Sequence, residues 1–140
     1  MSTPTTSAVV VRALTAGDLN EVSQLLVESQ LCEREGVADR VQLLLQQAPS
    51  WCVGAVHDRH LVGILLAIYN GFHVFLSHIA VARAYQGQGI GALLHAELVS
   101  RAYKVGAHGV IADARLSAVG FFSTLGYRLP GAIFLIRDLH

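Results

Sequence analysis

The stretch "VARAYQGQGIGALL", residues 81–94, places glycine at 87, 89 and 91 between a strand-like run and a helix-like run. Glycine loses more backbone freedom on folding than other residues, so this clustering marks a tight connection or a close approach to a ligand. A Walker-type phosphate loop is excluded, because no Gly-Lys-Ser/Thr is present. Residues 87–92, "GQGIGA", satisfy G-x-G-x-x-A, and Asp113 ends the following strand. A Rossmann turn, however, follows its strand at once, whereas "RAYQ" intervenes here, and the 27 residues after Asp113 are too few for further βα units. A third reading takes residues 86–91 as Q-x-x-G-x-G at a strand-to-helix junction. Consecutive backbone N–H groups and the positive end of the helix dipole then face an anion, and side chains at 87, 89 and 91 would obstruct a bulky pyrophosphate.

Length and composition narrow the class. A chain of 140 residues is of single-domain size and buries a core without staples. We read 1–7 as a polar tail and 8–140 as one domain. Apolar residues reach 53%, more than one small globule easily hides, so a homodimer or a lipophilic cofactor groove is expected to absorb the excess. Ten Lys and Arg balance ten Asp and Glu, which leaves no global field for nucleic acid or an anionic membrane. Cys32 and Cys52 form no CxxC pair and read as buried thiols of a reducing cytoplasm. The start lacks a basic, apolar leader, and no run reaches the roughly 18 apolar residues of a membrane span, so a soluble cytoplasmic protein is expected.

The element order follows from periodicity. A strand over 8–14 precedes a helix that Thr15 or Asp18 can cap, with Val22, Leu25, Leu26 and Ser29 on one face. A second helix over 37–47 carries Val41, Leu44 and Leu45. Residues 18–40 hold six acidic and two basic side chains, a solvated face or a means of steering a cationic substrate. Strands over 51–57, 61–69 and 73–82 form an antiparallel meander, with Asn70-Gly71 suited to a type I′ turn. A helix from about 89 to 105 shows Ile90, Leu94 and Leu98 four apart. A strand over 109–114, a short helix ending at Gly126 and a final strand over 132–139 complete an α/β chain around one mixed sheet. The strands at 73–82 and 109–114 flank a βαβ crossover and should run parallel.

The Q-x-x-G-x-G loop resembles the signature of the GNAT superfamily of acyl-CoA N-acyltransferases, and "AVGFFSTLGY" (118–127) is similar to that family's second motif. "VRALTAGDLNEVSQLL" and "LVGILLAIY" resemble its opening and third strand, so the resemblance covers about 9–139 in order. It implies a GNAT fold, acetyl-CoA as acyl donor and a primary amine of a small molecule or peptide as acceptor. It also implies direct attack in a ternary complex, with no metal. The resemblance places CoA against the backbone of Ile79, Ala80 and Val81, the loop residues Gln86, Gly87, Gln88, Gly89, Ile90, Gly91 and Ala92, and the aromatic pair Phe121 and Phe122.

Two departures from the family pattern affect the chemistry. The common Tyr acid is Phe122 here, with Tyr127 left to packing, and the strand before the loop has no carboxylate. His78, or a water relay through Ser77, is left as the base, although strict alternation sets the two on opposite faces. These departures also leave room for a CoA-sensing module with weak or no catalysis. Arg115 stands where an arginine grips an acidic group of the acceptor, or else pairs with Asp113 at the surface. His140 could reach the site only if the chain end were ordered, and His57 and His60 lack metal-ligand spacing.

Overall fold

The short apolar runs and amphipathic stretches become five strands and four α-helices in the computed structural model, which describes residues 8–140. The tail read over 1–7 lies outside the described residues. In order they are β1 (Val10–Ala13), α1 (Leu19–Glu28), α2 (Val37–Gln47), β2 (Val53–His57), β3 (His60–Tyr69), β4 (His73–Val81), α3 (Ile90–Val105), β5 (Gly109–Ala112) and α4 (Val119–Thr124). The strands lie in one sheet in the order β1-β2-β3-β4-β5. The first three pairings are antiparallel, and β4 with β5 is parallel. This is the expected mixed sheet, with its meander and its βαβ crossover through α3.

Each face of the sheet buries its own apolar cluster. On one face, Val22 and Leu26 of α1 and Val41 and Leu45 of α2 pack on Ile64 and Leu66 of β3. On the other, Ile90, Leu94 and Leu98, spaced four apart along α3, pack on Val53, Leu65 and Leu76. The helical period delivers one stripe per helix and the strand period delivers alternate residues, so β3 feeds both clusters and is buried from Leu61 to Ala67. Among the described residues no helix is long and apolar enough to cross a membrane.

The turns differ from expectation in an instructive way. The β2–β3 hairpin closes on Asp58 and Arg59, both at positive φ (50° and 67°), between the paired residues His57 and His60. At Asn70-Gly71 only Gly71 has positive φ (94°). The Asn70 side-chain oxygen instead accepts the amides of Phe72 and His73, both at 2.9 Å, making a longer loop in which the side chain replaces a backbone acceptor.

The final strand expected over 132–139 does not form; residues 127–140 have no regular secondary structure. Strand propensity is realised through pairing with a neighbour, and here the chain crosses the sheet face, stacking Phe134 on Phe75 with ring centroids 6.3 Å apart. The first and fifth strands are likewise shorter than read, β5 ending at Ala112.

At the start of α1, the expected cap is a charged network. A short 3-10 turn over Ala16–Asp18 precedes the helix, and the Asp18 carboxylate reaches back to the Thr15 amide at 2.8 Å. The same buried carboxylate takes two bonds from the Arg12 guanidinium, at 2.8 and 2.9 Å, tying β1 to α1. These bonds hold the Asp18 carboxyl below its ordinary value of 3.8 against the opposing effect of burial. Its folded-state pKa is depressed, so its contribution is complete above the unfolded value and is lost as pH falls through the folded one. We expect Asp18→Asn to be less stable than wild type at neutral pH in urea unfolding. The gap should narrow as pH drops below about 4; a gap that is constant with pH would show that the ion pair is not its source.

Candidate functional site

β4 and β5 pair only from His73 with Gly109 to Leu76 with Ala112, and a last amide, Asp113 N–H, reaches the Leu76 carbonyl at 3.4 Å. There β5 ends, and the chain turns into a 3-10 segment at Leu116–Ala118. β4 continues for five more residues, Ser77 to Val81, without a β5 partner. A gap therefore opens between the two parallel strands.

A bulge sets what faces this gap. His78 pairs with Leu66 and Leu76 with Ala67, so Ser77 is an extra residue with no opposite on β3. The side-chain alternation of β4 changes parity there: Val74 and Leu76 point into the α3 cluster, whereas Ala80 points into the α1–α2 cluster. Strict alternation, which put Ser77 and His78 on opposite faces, fails for this reason. The two side chains meet, with Ser77 Oγ 2.9 Å from His78 Nδ1.

The same geometry fixes the tautomer. Ser77 Oγ donates its only proton to the Leu66 carbonyl at 3.2 Å, so it accepts from His78. The imidazole proton is then on Nδ1, and Nε2 keeps a free lone pair. Burial lowers the His78 pKa below its ordinary 6.5, opposed by the charge of Asp113 at the end of β5. His78 is thus a neutral, oriented acceptor at neutral pH.

The β4 backbone is also polarised toward the gap. Ala82 N–H bonds back to Val62 of β3, so by alternation Ala80 faces β3 while Ile79 and Val81 turn their amides and carbonyls away from it. The Val81 carbonyl is taken by the Gln86 side chain at 3.1 Å, which pins the start of the glycine loop to the strand.

In that loop Gly87 and Gly89 have φ of 79° and 81°, a left-handed conformation that other residues adopt at a cost, and a Cβ on either would meet nothing within 4 Å. Gly91 serves differently from the expectation that a side chain there would obstruct a ligand. A Cβ on Gly91 would come within 3.2 Å of the Phe121 ring and 4.0 Å of Ile79. The first turn of α3, the gap-facing residue Ile79 and α4 therefore converge. Ile90 is buried beneath the sheet and offers only its backbone, whereas Ala92 is exposed. Among the described residues, the amides of 87–92 have no backbone acceptor, and they sit at the positive end of a 16-residue helix.

α4 closes the far side. Phe122 is buried, its ring edge-on to Phe121 and Tyr127 at 5.2 Å each. Sequence reading missed His95. It lies one position beyond Leu94 on the buried stripe of α3, and its Nε2 is 2.8 Å from the Tyr127 hydroxyl. Burial lowers the His95 pKa and pushes Tyr127 up to about 12, so both are neutral and lock α4 to α3. The helical period carried this signal, since a polar residue on an apolar stripe needs a partner.

Arg115 does not pair with Asp113. Its guanidinium donates to the Gln30 carbonyl, tying the loop after β5 to the α1–α2 connection. Cys52 is fully buried and Cys32 half-buried, and burial raises both thiols, which leaves no activated sulfur nucleophile. His57 bonds the Tyr85 hydroxyl at 2.9 Å, and His140 is exposed at the chain end. Among the described residues there is no cluster of three or more His, Cys, Asp or Glu side chains that could hold a metal.

Solved structures share this architecture. The chain superposes on a ribosomal-protein-alanine N-acetyltransferase from Brucella melitensis biovar Abortus 2308 with a TM-score of 0.77 at 20% identity, covering 94% of this chain and 99% of that one. An aminoglycoside N-acetyltransferase determined with CoA gives 0.76 at 16% identity, over 94% and 95%. A longer chain from Pyrococcus horikoshii is matched over 43% of its length and 85% of this one, with a TM-score of 0.73 at 19% identity. No curated protein matches the sequence. The profile of the acetyltransferase (GNAT) family matches residues 19–127, from the first residue of α1 through the β4 bulge and the glycine turn to Tyr127, and on that match the chain belongs to the GNAT family.

Proposed function

We propose that this protein is an N-acetyltransferase that moves the acetyl group of acetyl-CoA to a primary amine of a small molecule or peptide, by direct attack in a ternary complex. The observation that carries this reading is the convergence at Ile79 and Gly91 of an unpaired strand edge and a helix start with free amides, next to a neutral histidine on the other face of the same strand. These residues fit the donor. Open space fronts Gly87 and Gly89, and the free amides of 87–92 suit a pyrophosphate. The outward amide and carbonyl of Ile79 and the amide of Val81 suit the amides of a pantetheine arm lying along β4.

Acetyl-CoA supplies a thioester carbonyl open to attack. His78 Nε2 takes a proton from the acceptor ammonium and passes it to water, while Ser77 holds the ring in the tautomer that leaves Nε2 free. The amine nitrogen then bonds to the carbonyl carbon, the carbon–sulfur bond breaks with its electron pair leaving on sulfur, and the nitrogen gives up its second proton to solvent to become the amide. An N–H of the β4 edge stabilises the charge that develops on the carbonyl oxygen. Phe122 offers no proton, so the thiolate takes one from solvent, which a thiol of pKa near 8.5 tolerates. Arg115, held by one guanidinium nitrogen at the Gln30 carbonyl, keeps its other donors for an acidic group of the acceptor.

Phe122 favours a second reading. A buried phenylalanine at the acid position on α4, together with a β4 that carries no carboxylate, also suits a module that senses CoA and turns over weakly.

Thermal unfolding with acetyl-CoA, CoA and NADPH tests the shared premise. Ligand near 100 Kd stabilises by about 2.7 kcal/mol, which at this size raises Tm by roughly 5–11 °C. We expect the rise with both CoA species and not with NADPH; no rise with either would remove the reading. Acyl-CoA consumption with an amine panel then separates the two functions, since tight binding with persistent silence supports the sensing module.

The pH profile of kcat tests His78. A base must be unprotonated, and its pKa lies below 6.5, so the rate should fall only at acid pH, on a limb that His78→Ala abolishes. An unchanged limb would transfer the role to water held at Ser77.

A further inference from the structure

A row of apolar side chains lies beside the histidine, on its own face of the sheet. Ile68, Phe75 and Ile111 are register neighbours across β3, β4 and β5. By alternation from Ile64 and Leu66, the row is on the α1–α2 face, but those helices leave it uncovered: Ile68 and Ile111 are 42% and 46% exposed. His78 faces the same way, because its partner on β3 is Leu66. Leu66 and Ile68 stand two residues apart, which sets the imidazole about 7 Å from the row along the strands.

The strip is charged at one end and aromatic at the other. Asp113 follows Ile111 onto this face as β5 ends, and its carboxylate acts on His78. It is the single acidic side chain in 73–81 and 109–113. The two carboxylates of α1 are already engaged, Glu21 at the Leu61 amide and Glu28 with Gln24. Over the row, the Phe134 ring lies nearly parallel to that of Phe75, with centroids 6.3 Å apart and planes at 8°, yet it is 70% exposed. No residue from 128 to 140 makes a backbone hydrogen bond to another described residue. Contact with Phe75, rather than the backbone, therefore holds this ring in place, and another ring can share that contact.

We propose that the row is a specificity subsite for the acceptor, selecting a primary ammonium joined by a spacer of two or three carbons to an aromatic ring. The inference rests on the acetyltransferase reading and names the substrate class of that same site. The ammonium lies between Asp113 and His78 Nε2, and the ring lies on Phe75 against Phe134. Charge and shape both favour this occupant. One carboxylate matches one ammonium, whereas a polyamine would set its further charges on apolar side chains, and a short alkylamine would leave the row in water.

Acetyl transfer by the whole chain to 2-phenylethylamine, ethylamine and spermidine tests the subsite. We expect kcat/KM for 2-phenylethylamine to exceed that for ethylamine about 30-fold, with spermidine no better than ethylamine. Phe75→Ala and, separately, Phe134→Ala should raise KM for 2-phenylethylamine about tenfold and leave KM for ethylamine and acetyl-CoA unchanged. The exposed Phe134 keeps the test open if Phe75→Ala does not fold. Phenylalanine amide beside 2-phenylethylamine distinguishes a peptide N-terminus from a free arylalkylamine, and a preference for either supports the subsite. Equal use of all amines, or a preference for spermidine, would overturn the proposal and leave the acetyltransferase reading standing. If no amine is acetylated, calorimetric titration of 2-phenylethylamine into the protein with CoA decides. Binding that Phe134→Ala weakens about tenfold upholds the subsite although the enzyme reading fails, and no binding overturns it.

Discussion

Ser77 has no partner on β3, and the residues beside it pair with consecutive positions, Leu66 and Ala67, so β4 bends and changes sides at the level where β5 stops. Before this point β4 is an interior strand, bonded on both edges. After it, one edge keeps its bonds to β3 while the other faces a gap, where the Ile79 amide and carbonyl and the Val81 amide have no strand partner and the Val81 carbonyl holds Gln86. The bulge also turns Ser77 and His78 together, without which the histidine would have neither a fixed tautomer nor a free Nε2. A single extra residue thus supplies the open edge and the orientation of His78.

The helix that crosses from β4 to β5 depends on the same break. A parallel pair needs a crossover, and α3 begins where the freed part of β4 ends, with Gln86 fastened to the Val81 carbonyl. Its free amides therefore point at the gap because the strand and the helix are joined there by a turn of positive-φ glycines. Gly91 lets Phe121 sit against the first helical turn, and His95 with Tyr127 fixes the other end of the contact. Two neutral groups make that lock, so neutral pH leaves it intact while the site titrates separately through His78.

Much of this was legible in the sequence, and the limits have physical causes. The period of Ile90, Leu94 and Leu98 gave α3, the apolar run 61–69 gave β3, and the glycines at 87, 89 and 91 indicated the tight strand-to-helix turn. The bulge was not legible, because an extra residue in a strand leaves no mark in composition and shows only once the register with β3 is known. The pairing of Ser77 with His78 was hidden with it. Asp58 and Arg59 took the positive-φ turn that Asn70-Gly71 advertised, since strand length and register decide which turn must be tight. The run 132–139 has strand composition without a strand, for composition states a preference that only a neighbouring edge can satisfy.

The brevity of β5 connects the site with the outer surface. Four paired residues are enough to hold the strand in the sheet, and stopping there leaves the inner edge of β4 free for a ligand. On its other side β5 leaves an open edge, and the chain that follows carries the apolar side chains to cover one. Phe75, at the centre of the exposed row, lies two residues before Ser77 on the same face of β4. The same short strand frees the inner edge of β4 from Ser77 to Val81 and, on its other side, ends the sheet.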